Sequence, residues 1–372
     1  MKKYSIYYYH NLNLTFKSAQ TLQVIKDYVY LSQKGYEVNL FGEYTNSDDL
    51  QDILNYIGNN NIILQASFSF KLFKIFNKMR FISKILFNKK EKILVTRHFK
   101  KIKELLFFKK TSSNIKIFHE MHEESFPYLF KKKISKNYTL NLFKQVDSLI
   151  FTNYSQVELF KNEFNFSPHS YIVLPNGVEI DRFNSIEKEN NFVLTYLGQF
   201  NEWKNVELLF SSLSLLDEKF TLRIAGGKGD EKSKEFIEKL MIKYSINEKR
   251  VVYLGFIKNS EIETVLDKSN ILLLPLGDNI QSKYLTSPMK LFEYMATKIP
   301  VIAVDYPTIN LITSDDELYL SKNDSKNFAE TINSIVENNE ESRKKVKAMN
   351  NLVEKYSYKN RSEKFDEFIK SI

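Results

Sequence analysis

One segment in the second half of the chain combines residue types that could bind an anionic ligand. It reads SPMKLFEYMA and begins at Ser287, a natural helix N-cap that is followed by a proline suited to the first helical position. The N–H groups of Met289 and Lys290 would then point out of the helix start, beside the positive Lys290 ammonium. Glu293, one turn further on, could accept hydrogen bonds from two neighbouring hydroxyls, such as those of a ribose. The same spacing also fits an ordinary capped helix that leads into a buried strand.

The elements around this segment alternate between short apolar runs and amphipathic stretches. The run Lys3–Tyr9, a helical pattern that ends at Gly35 and the run Glu37–Phe41 together predict a βαβ unit. After a polar stretch at 185–191 the alternation starts again and continues for about the same length. We therefore predict an α/β protein with one domain over residues 1–184, a second over 185–352 and a C-terminal helix over 353–372.

The composition narrows the class of protein. The chain has no cysteine and only five histidines, so disulfides and thiolate metal sites are excluded and no zinc site is indicated. The start, MKKYSIYYYHNLN, lacks the apolar core of a signal peptide, and no run of about 18 apolar residues is present. These features favour a cytoplasmic protein, in solution or peripheral on the cytoplasmic face of the inner membrane.

The positive charge of the chain is concentrated in residues 68–110. This segment carries 14 Lys and Arg against two acids, a net charge of +12, whereas the whole chain has +9. Lys71, Lys74 and Lys78 flank an apolar stripe with helical spacing, which comprises Phe68, Leu72, Ile75, Phe76, Met79, Ile82 and Leu86. The pattern fits a basic amphipathic helix on an anionic membrane surface. It equally fits a helix with its apolar side in the core. The aromatic residues follow the stripe and are not interleaved with the basic ones, so nucleic-acid binding is not expected.

Several segments, in this order along the chain, resemble the family 4 glycosyltransferases of the GT-B fold. SPMKLFEYMATKIPVIAV resembles the family's donor-binding segment, and LPNGVEIDRF, from Leu174, resembles its N-G-V-D-x-x-x-F segment. Gly198 with Lys204 resembles its G-R…K-G loop, while LRIAGG and VVYLG resemble two of its strands. In the first half, the pair TR at Thr96 and the segment FHEMHE at Phe118 resemble parts of its acceptor domain.

The resemblance implies a fold and a donor site. The fold would be α/β, with two Rossmann-like domains that face each other across a cleft, and the C-terminal helix would pack back on the N-terminal domain. Lys204 would contact the diphosphate of the donor in a site that includes Gly198 and Ser287. The N–H groups of Met289 and Lys290 would contact the same diphosphate.

The resemblance also implies the activity. Glu293 would hold the ribose hydroxyls and His122 would lie near the transferred sugar, so these two are the expected catalytic residues. The enzyme would be a retaining hexosyltransferase that needs no metal and no cofactor other than its nucleotide-diphosphate sugar. Its acceptor would be lipid-linked or an oligosaccharide, in the synthesis of a surface polysaccharide or another glycan. Leaving-group phosphate would assist deprotonation of the acceptor.

Four departures from the family pattern support a different function. Leu285 stands where the family often has a glutamate, Gln199 replaces an arginine, and Asn205 replaces the glycine after the lysine. The segment 11–20 lacks the usual pair of glycines. The alternative is a non-catalytic nucleotide-binding protein or a peripheral membrane scaffold with the same fold.

Overall fold

The computed structural model describes residues 4–16, 18–130, 133–189 and 191–372, and it divides the chain into two compact units. Unit 1 comprises Met1–Gly177 together with Tyr358–Ile372, and unit 2 comprises Val178–Ser357. Lys3, the first residue of the first predicted strand, lies outside the described residues. The two units are each built on a parallel sheet, so the α/β fold class predicted from the sequence is confirmed.

Unit 1 contains, within its described residues, a seven-stranded parallel sheet with the order β3-β2-β1-β4-β5-β6-β7. The strands are β1 Tyr4–Asn13, β2 Glu37–Tyr44, β3 Ile62–Phe68, β4 Glu91–Thr96, β5 Ile115–Met121, β6 Ser148–Phe151 and β7 Tyr171–Val173. Strands covered by helices on both faces are apolar along their whole length. Accordingly, Ile93, Leu94 and Val95 of β4 are fully buried.

The helices of unit 1 follow the strands in alternation. They are α1 Ala19–Gln33, α2 Ser47–Ile57, α3 Lys71–Phe87, α4 Ile102–Thr111, α5 Lys136–Phe143 and α6 Tyr154–Phe164, with the last helix of the chain (Tyr358–Ser371) added to them. Side-chain caps fix several of the starts: the Ser18 side chain accepts from Thr21 N–H, and the Asn153 side chain accepts from Gln156 N–H.

The last helix completes the core of unit 1. Phe365 and Ile369 are buried in the same apolar cluster as β1 and β2. Arg361 donates to the carbonyl oxygen of Pro175 over 2.8 Å, and its Nη1 lies 2.9 Å from Oδ1 of Asp27 on α1. The chain therefore returns to its first unit for its last 15 residues.

Unit 2 contains, in the part of it that is described, a six-stranded parallel sheet with the order β10-β9-β8-β11-β12-β13. The strands are β8 Val193–Gly198, β9 Thr221–Gly226, β10 Val251–Tyr253, β11 Ile271–Leu274, β12 Val301–Val304 and β13 Tyr319–Ser321. The helices of unit 2 are α7 Val206–Leu213, α8 Glu231–Lys243, α9 Ile262–Leu266, α10 Met289–Met295, α11 Pro307–Asn310, α12 Ser325–Glu337 and α13 Asn339–Val353. The last helix of the chain, Tyr358–Ser371, is α14 and belongs to unit 1. A π-helical turn, Gln281–Leu285, precedes α10.

The units divide at Gly177 and Ser357, whereas the sequence placed the joins after residues 184 and 352. The residues between these positions are bound to unit 2. Arg182 donates to Glu263 over 2.6 Å, and the Tyr356 ring packs 5.0 Å from the ring of Phe292. The mixed polar and apolar sequence of 178–184 and the helical pattern after Val353 did not reveal these contacts.

Both sheets have the strand order of a doubly wound fold, which reverses direction once. The reversal lies between β1 and β4 in unit 1 and between β8 and β11 in unit 2. In open parallel sheets, ligands bind outside the carboxyl ends of the strands at such a switch point. Gly198 ends β8, so the loop that carries Lys204 begins at the switch point of unit 2.

Candidate active site

Glycines lie at or just after the ends of three adjacent strands of unit 2, where they allow a close approach of the backbones. Gly198 of β8 pairs with Gly226 of β9, and Gly226 N–H donates to the carbonyl oxygen of Gly255, which follows β10. A Cβ atom on Gly226 would lie 1.7 Å from the carbonyl oxygen of Gly198. No side chain fits at Gly226, and this explains the strand-ending glycine that the sequence analysis recognised.

Lys204 lies at the end of a single 3₁₀ turn, Glu202–Lys204, after β8. The turn ends at Asn205 in the left-handed conformation (φ 46°, ψ 50°), which asparagine tolerates better than most residues. Asn205 therefore has a backbone conformation that glycine also adopts readily. The Lys204 ammonium lies 4.1 Å from the centre of the Trp203 ring, and among the described residues no carboxylate lies within ion-pairing distance of it.

Lys290 and Glu293 lie one turn apart on α10 and form an ion pair. Glu293 is buried and Lys290 is mostly so. Burial, together with the positive charge of Lys290, lowers the pKa of Lys204 to about 7. Lys290 therefore lies near enough to Lys204 to act on its charge, although 86 positions separate the two residues in the sequence. The structure thus brings together Lys204, Lys290 and Glu293.

A buried tyrosine that the sequence analysis missed joins α10 to the switch point. The hydroxyl of Tyr294 accepts a hydrogen bond from the Leu197 N–H over 2.9 Å, and the Tyr294 side chain is fully buried. This bond fixes the helix that carries Lys290 and Glu293 against the end of β8. A tyrosine next to Glu293 on an apolar helix gave no signal of this contact.

The start of α10 differs from the prediction. The N-cap is Pro288, with an extended ψ of 113°, and not Ser287. The predicted Ser287 cap is wrong because the helix begins at Met289, so that Pro288 takes the N-cap position and no side chain caps the helix. The N–H groups of Met289 and Lys290 still occupy the first two helical positions, where they have no acceptor within the helix. Leu285, at the position where the resemblance implies the first of two glutamates, is buried.

His122 follows β5 in unit 1, and each of its two ring nitrogens forms a hydrogen bond with another side chain. Its Nε2 lies 2.5 Å from Glu120 Oε1, and its Nδ1 lies 3.1 Å from Nη2 of Arg97. A guanidinium only donates, so Nδ1 accepts and Nε2 carries the proton that is donated to Glu120. The imidazole is therefore neutral and fixed in orientation.

The electrostatics of this triad agree with its geometry. Burial, together with Arg97, lowers the pKa of His122. Burial alone would raise the pKa of Glu120, but the interaction with His122, which donates a hydrogen bond to it, and the positive charges of Arg97 and Arg361 outweigh burial and lower that pKa to about 2. Glu120 and Arg97 were part of the recognised segments, yet nothing in the sequence showed that they hold His122.

Two of the three lysines predicted to contact a membrane have carboxylate partners. Lys74 lies 2.6 Å from Glu43, and Lys78 lies 2.7 Å from Glu104. Lys71, the first residue of α3, is exposed. Among the described residues, His, Asp and Glu form no group of three or more that could hold a metal ion.

Unit 2 is similar to a known protein family. The family model "Glycosyl transferases group 1" matches residues 177–351, which is nearly the whole of unit 2. A search of curated sequences finds no significant match.

Solved structures match along the whole chain. A glycosyltransferase from Rickettsia africae is 17% identical, with a TM-score of 0.76, over 100% of this chain and 99% of that one. HepE of Anabaena, solved with UDP-glucose, is 12% identical, with a TM-score of 0.75, over 99% of this chain and 100% of that one. A sucrose-phosphate synthase from Thermosynechococcus elongatus is 16% identical, with a TM-score of 0.72, over 99% and 98% of the two chains. The chain therefore has the fold of the GT-B glycosyltransferases, and its second unit matches the group 1 glycosyl transferases.

Proposed function

We propose that this protein is a retaining glycosyltransferase that moves a hexose from a nucleotide-diphosphate sugar to a lipid-linked or oligosaccharide acceptor. The observation that carries the proposal is the convergence of Lys204, Lys290 and Glu293 at the switch point of unit 2. A half-buried ammonium without a carboxylate partner is costly unless an anionic ligand binds it. HepE was solved with UDP-glucose, and a pneumococcal O-GlcNAc transferase of the same fold was solved with UDP and GlcNAc, which supports a nucleotide-sugar donor.

The proposed chemistry follows from the charges of the site. The bond between C1 of the sugar and the diphosphate oxygen breaks, and the electron pair stays on that oxygen. Lys204 and Lys290 stabilise the charge that develops there, so the two ammonium groups take the part that a divalent ion takes in other enzymes. The acceptor hydroxyl attacks C1 on the same face, and its proton passes to the departing phosphate oxygen. His122, held neutral by Arg97 and Glu120, would orient the sugar through a fixed imidazole.

A panel of UDP-, GDP-, ADP-, dTDP- and CMP-sugars tests the proposal. One donor should raise the thermal unfolding temperature and be slowly hydrolysed to free nucleotide diphosphate, and both effects should be lost in Lys204→Ala and Glu293→Ala. Lys219→Ala, an exposed lysine of unit 2, is the matched control. With an acceptor in hand, NMR of the product should show the anomeric configuration of the donor. A product with the inverted anomeric configuration would refute the retaining mechanism. The absence of a response to every donor would refute the proposed glycosyltransferase activity.

A second candidate function rests on the departures at Leu285 and Gln199. Leu285 is buried and cannot hydrogen-bond a sugar, and Gln199 is exposed and uncharged. A nucleotide-binding protein without activity would keep Lys204 and Glu293 and lose the contacts to the sugar. Stabilisation by nucleotide diphosphate and nucleotide sugar alike, with no turnover, would favour it.

Donor binding should take up a proton. The pKa of Lys204 is lowered to about 7 in the free protein, and a bound diphosphate should raise it because the charged form gains a partner. Affinity is then constant below pH 7 and falls as the pH rises above it. Calorimetry with a nucleotide sugar, in buffers of different ionisation enthalpy, should show an uptake close to one proton at pH 8 and close to none at pH 6. An unchanged uptake in Lys204→Met would contradict this assignment.

We also propose that α3 lies on an anionic membrane surface. Asn77, Phe81 and Ile85 recur every four residues and form the buried side of the helix, and the Asn77 amide donates to the carbonyl oxygens of Gly42 and Gln65. The opposite side is apolar and exposed: Leu72 is 63% exposed, Phe76 61%, Met79 61% and Phe87 82%. Contrary to the predicted stripe, Phe68 ends β3 and does not belong to the helix. None of the described helices combines the length and hydrophobicity that a membrane-spanning helix requires.

The exposed side of α3 should determine vesicle binding. Each buried Leu, Phe or Met side chain contributes about 1.5–3 kcal/mol, so Leu72→Gln, Phe76→Gln and Met79→Gln together should weaken binding to phosphatidylglycerol-containing vesicles by more than tenfold. The matched control is Ile242→Gln, which changes an even more exposed apolar residue on α8 of unit 2. Co-sedimentation measures both variants. Equal binding of the triple variant and the control would exclude this surface.

A further inference from the structure

A cavity of about 250 Å³ lies in unit 1, beside the switch point between β1 and β4. Tyr9 of β1 and Phe41 of β2 form part of its wall, and Ile75 of α3 closes one side. His98, which follows β4, also lines it, together with Lys74, Lys78 and Lys101. Most of the surface of the cavity is carbon. The site proposed for the donor does not use any of these residues.

The aromatic wall of the cavity is held in place by the core of unit 1. Tyr9 and Phe41 are buried, with ring centres 6.1 Å apart. The Tyr9 hydroxyl donates to Glu104 Oε1 over 2.6 Å, so the polar end of this side chain is already bonded. What the cavity offers to a ligand on this side is therefore ring surface without hydrogen-bonding groups.

The remaining wall carries positive charge. Three ammonium groups, of Lys74, Lys78 and Lys101, share two carboxylates, Glu43 and Glu104, which leaves one positive charge in excess. In addition, Nδ1 of His98 is buried and has no hydrogen-bond partner among the described residues. An anionic or hydroxyl-bearing group of a ligand could pair with the excess positive charge and form a hydrogen bond with Nδ1 of His98.

Ile75 connects the cavity to the outside of α3. It lines the cavity and is also half exposed, on the same side of the helix as Leu72 and Met79. An apolar chain inside the cavity can thus continue along the exposed apolar side of α3 without crossing a polar surface.

We propose that this cavity binds an anionic amphiphile, with its apolar chain against Tyr9, Phe41 and Ile75 and its phosphate at the three lysines. The inference rests on the proposed function and deepens it, because it assigns the acceptor to the lipid-linked class. A free oligosaccharide needs many hydrogen-bonding partners, and the carbon wall supplies few. The lysines match the charge of a phosphate that joins a lipid chain to its sugar.

The proposed site is tested by calorimetry, which measures the binding of decyl phosphate to the whole chain. Decyl phosphate is kept below its critical micelle concentration. Ile75→Trp fills the cavity and should weaken binding at least tenfold, whereas Leu72→Trp, on the exposed side and outside the cavity, should leave it unchanged. Lys101→Met should weaken the binding of decyl phosphate and leave the binding of the neutral decyl maltoside unchanged. Inorganic phosphate should bind much more weakly than decyl phosphate.

Each other outcome has a defined meaning. Equal binding to both tryptophan variants would overturn the cavity as the site. Inorganic phosphate that binds as tightly as decyl phosphate would show an anion site without a lipid chain, and decyl maltoside that binds as tightly would remove the role of the lysines. Donor hydrolysis, measured on the unsubstituted protein together with its binding of decyl phosphate, keeps the two proposals apart. Hydrolysis without amphiphile binding refutes the cavity alone, whereas amphiphile binding without hydrolysis refutes the transferase.

Discussion

Replacing Lys204 by methionine should make unit 2 more stable and nearly abolish donor binding. The ammonium is half-buried beside the positive charge of Lys290 and has no carboxylate partner among the described residues, so the folded protein gains when the charge is removed. A hydrogen bond to a charged group contributes up to about 3 kcal/mol, which corresponds to a loss of affinity of about 100-fold. The two changes have opposite signs, and this is the signature of a residue kept for binding.

Two measurements test the Lys204→Met prediction. The fluorescence of Trp203, the single tryptophan of the chain, reports unfolding in urea, and calorimetry measures the affinity for the nucleotide sugar. The matched control is Lys219→Met, since the Lys219 ammonium also lies over an aromatic ring, 4.6 Å from the centre of Phe192. This control should leave donor affinity unchanged. A Lys204→Met protein that is less stable than the parent would indicate a structural lysine, and unchanged affinity would remove Lys204 from the site.

The sequence predicts the fold better than the site, and α10 shows why. Alternating apolar runs and helical stretches report local structure, and they predicted both parallel sheets. Lys290 and Glu293, three positions apart on one helix, are also local, and the structure pairs them. Lys204 and Lys290 come together because β8 and its loop meet α10 and the segment before it, through bonds such as those of Tyr294 to Leu197 and of Ser282 to Trp203. One sequence contains no signal for such a contact.

Helix α3 shows a second limit of the sequence. Its periodicity predicted a helix with an apolar stripe, but the helix has two apolar sides, and the narrower one, at Phe81 and Ile85, is the buried one. Spacing alone cannot tell which side the sheet covers. The polar Asn77 decides this, because its amide bonds to carbonyl oxygens of β2 and β3 and so turns Phe76 and Met79 outward.

Alanine at Gly226 should destabilise unit 2 far more than alanine at Gly255. Both glycines have positive φ, 135° and 70°, and both follow or end neighbouring strands. A Cβ on Gly226 would lie 1.7 Å from the Gly198 carbonyl oxygen, so β8 and β9 must separate at the point where they are paired. A Cβ on Gly255 meets nothing within 4 Å. Overpacking and a backbone conformation that is essentially restricted to glycine together cost about 3–5 kcal/mol at Gly226, whereas left-handed strain alone costs about 1–2 kcal/mol at Gly255.

Urea unfolding followed by Trp203 measures both variants, and donor affinity adds a second comparison. Because Gly198 begins the loop that carries Lys204, a shift of its carbonyl should also weaken donor binding in Gly226→Ala under conditions where the variant is still folded. Gly255→Ala should keep the donor affinity of the parent, since its side chain enters open space. Equal losses of stability in the two variants would mean that backbone strain, and not the contact between β8 and β9, sets the requirement for glycine at Gly226.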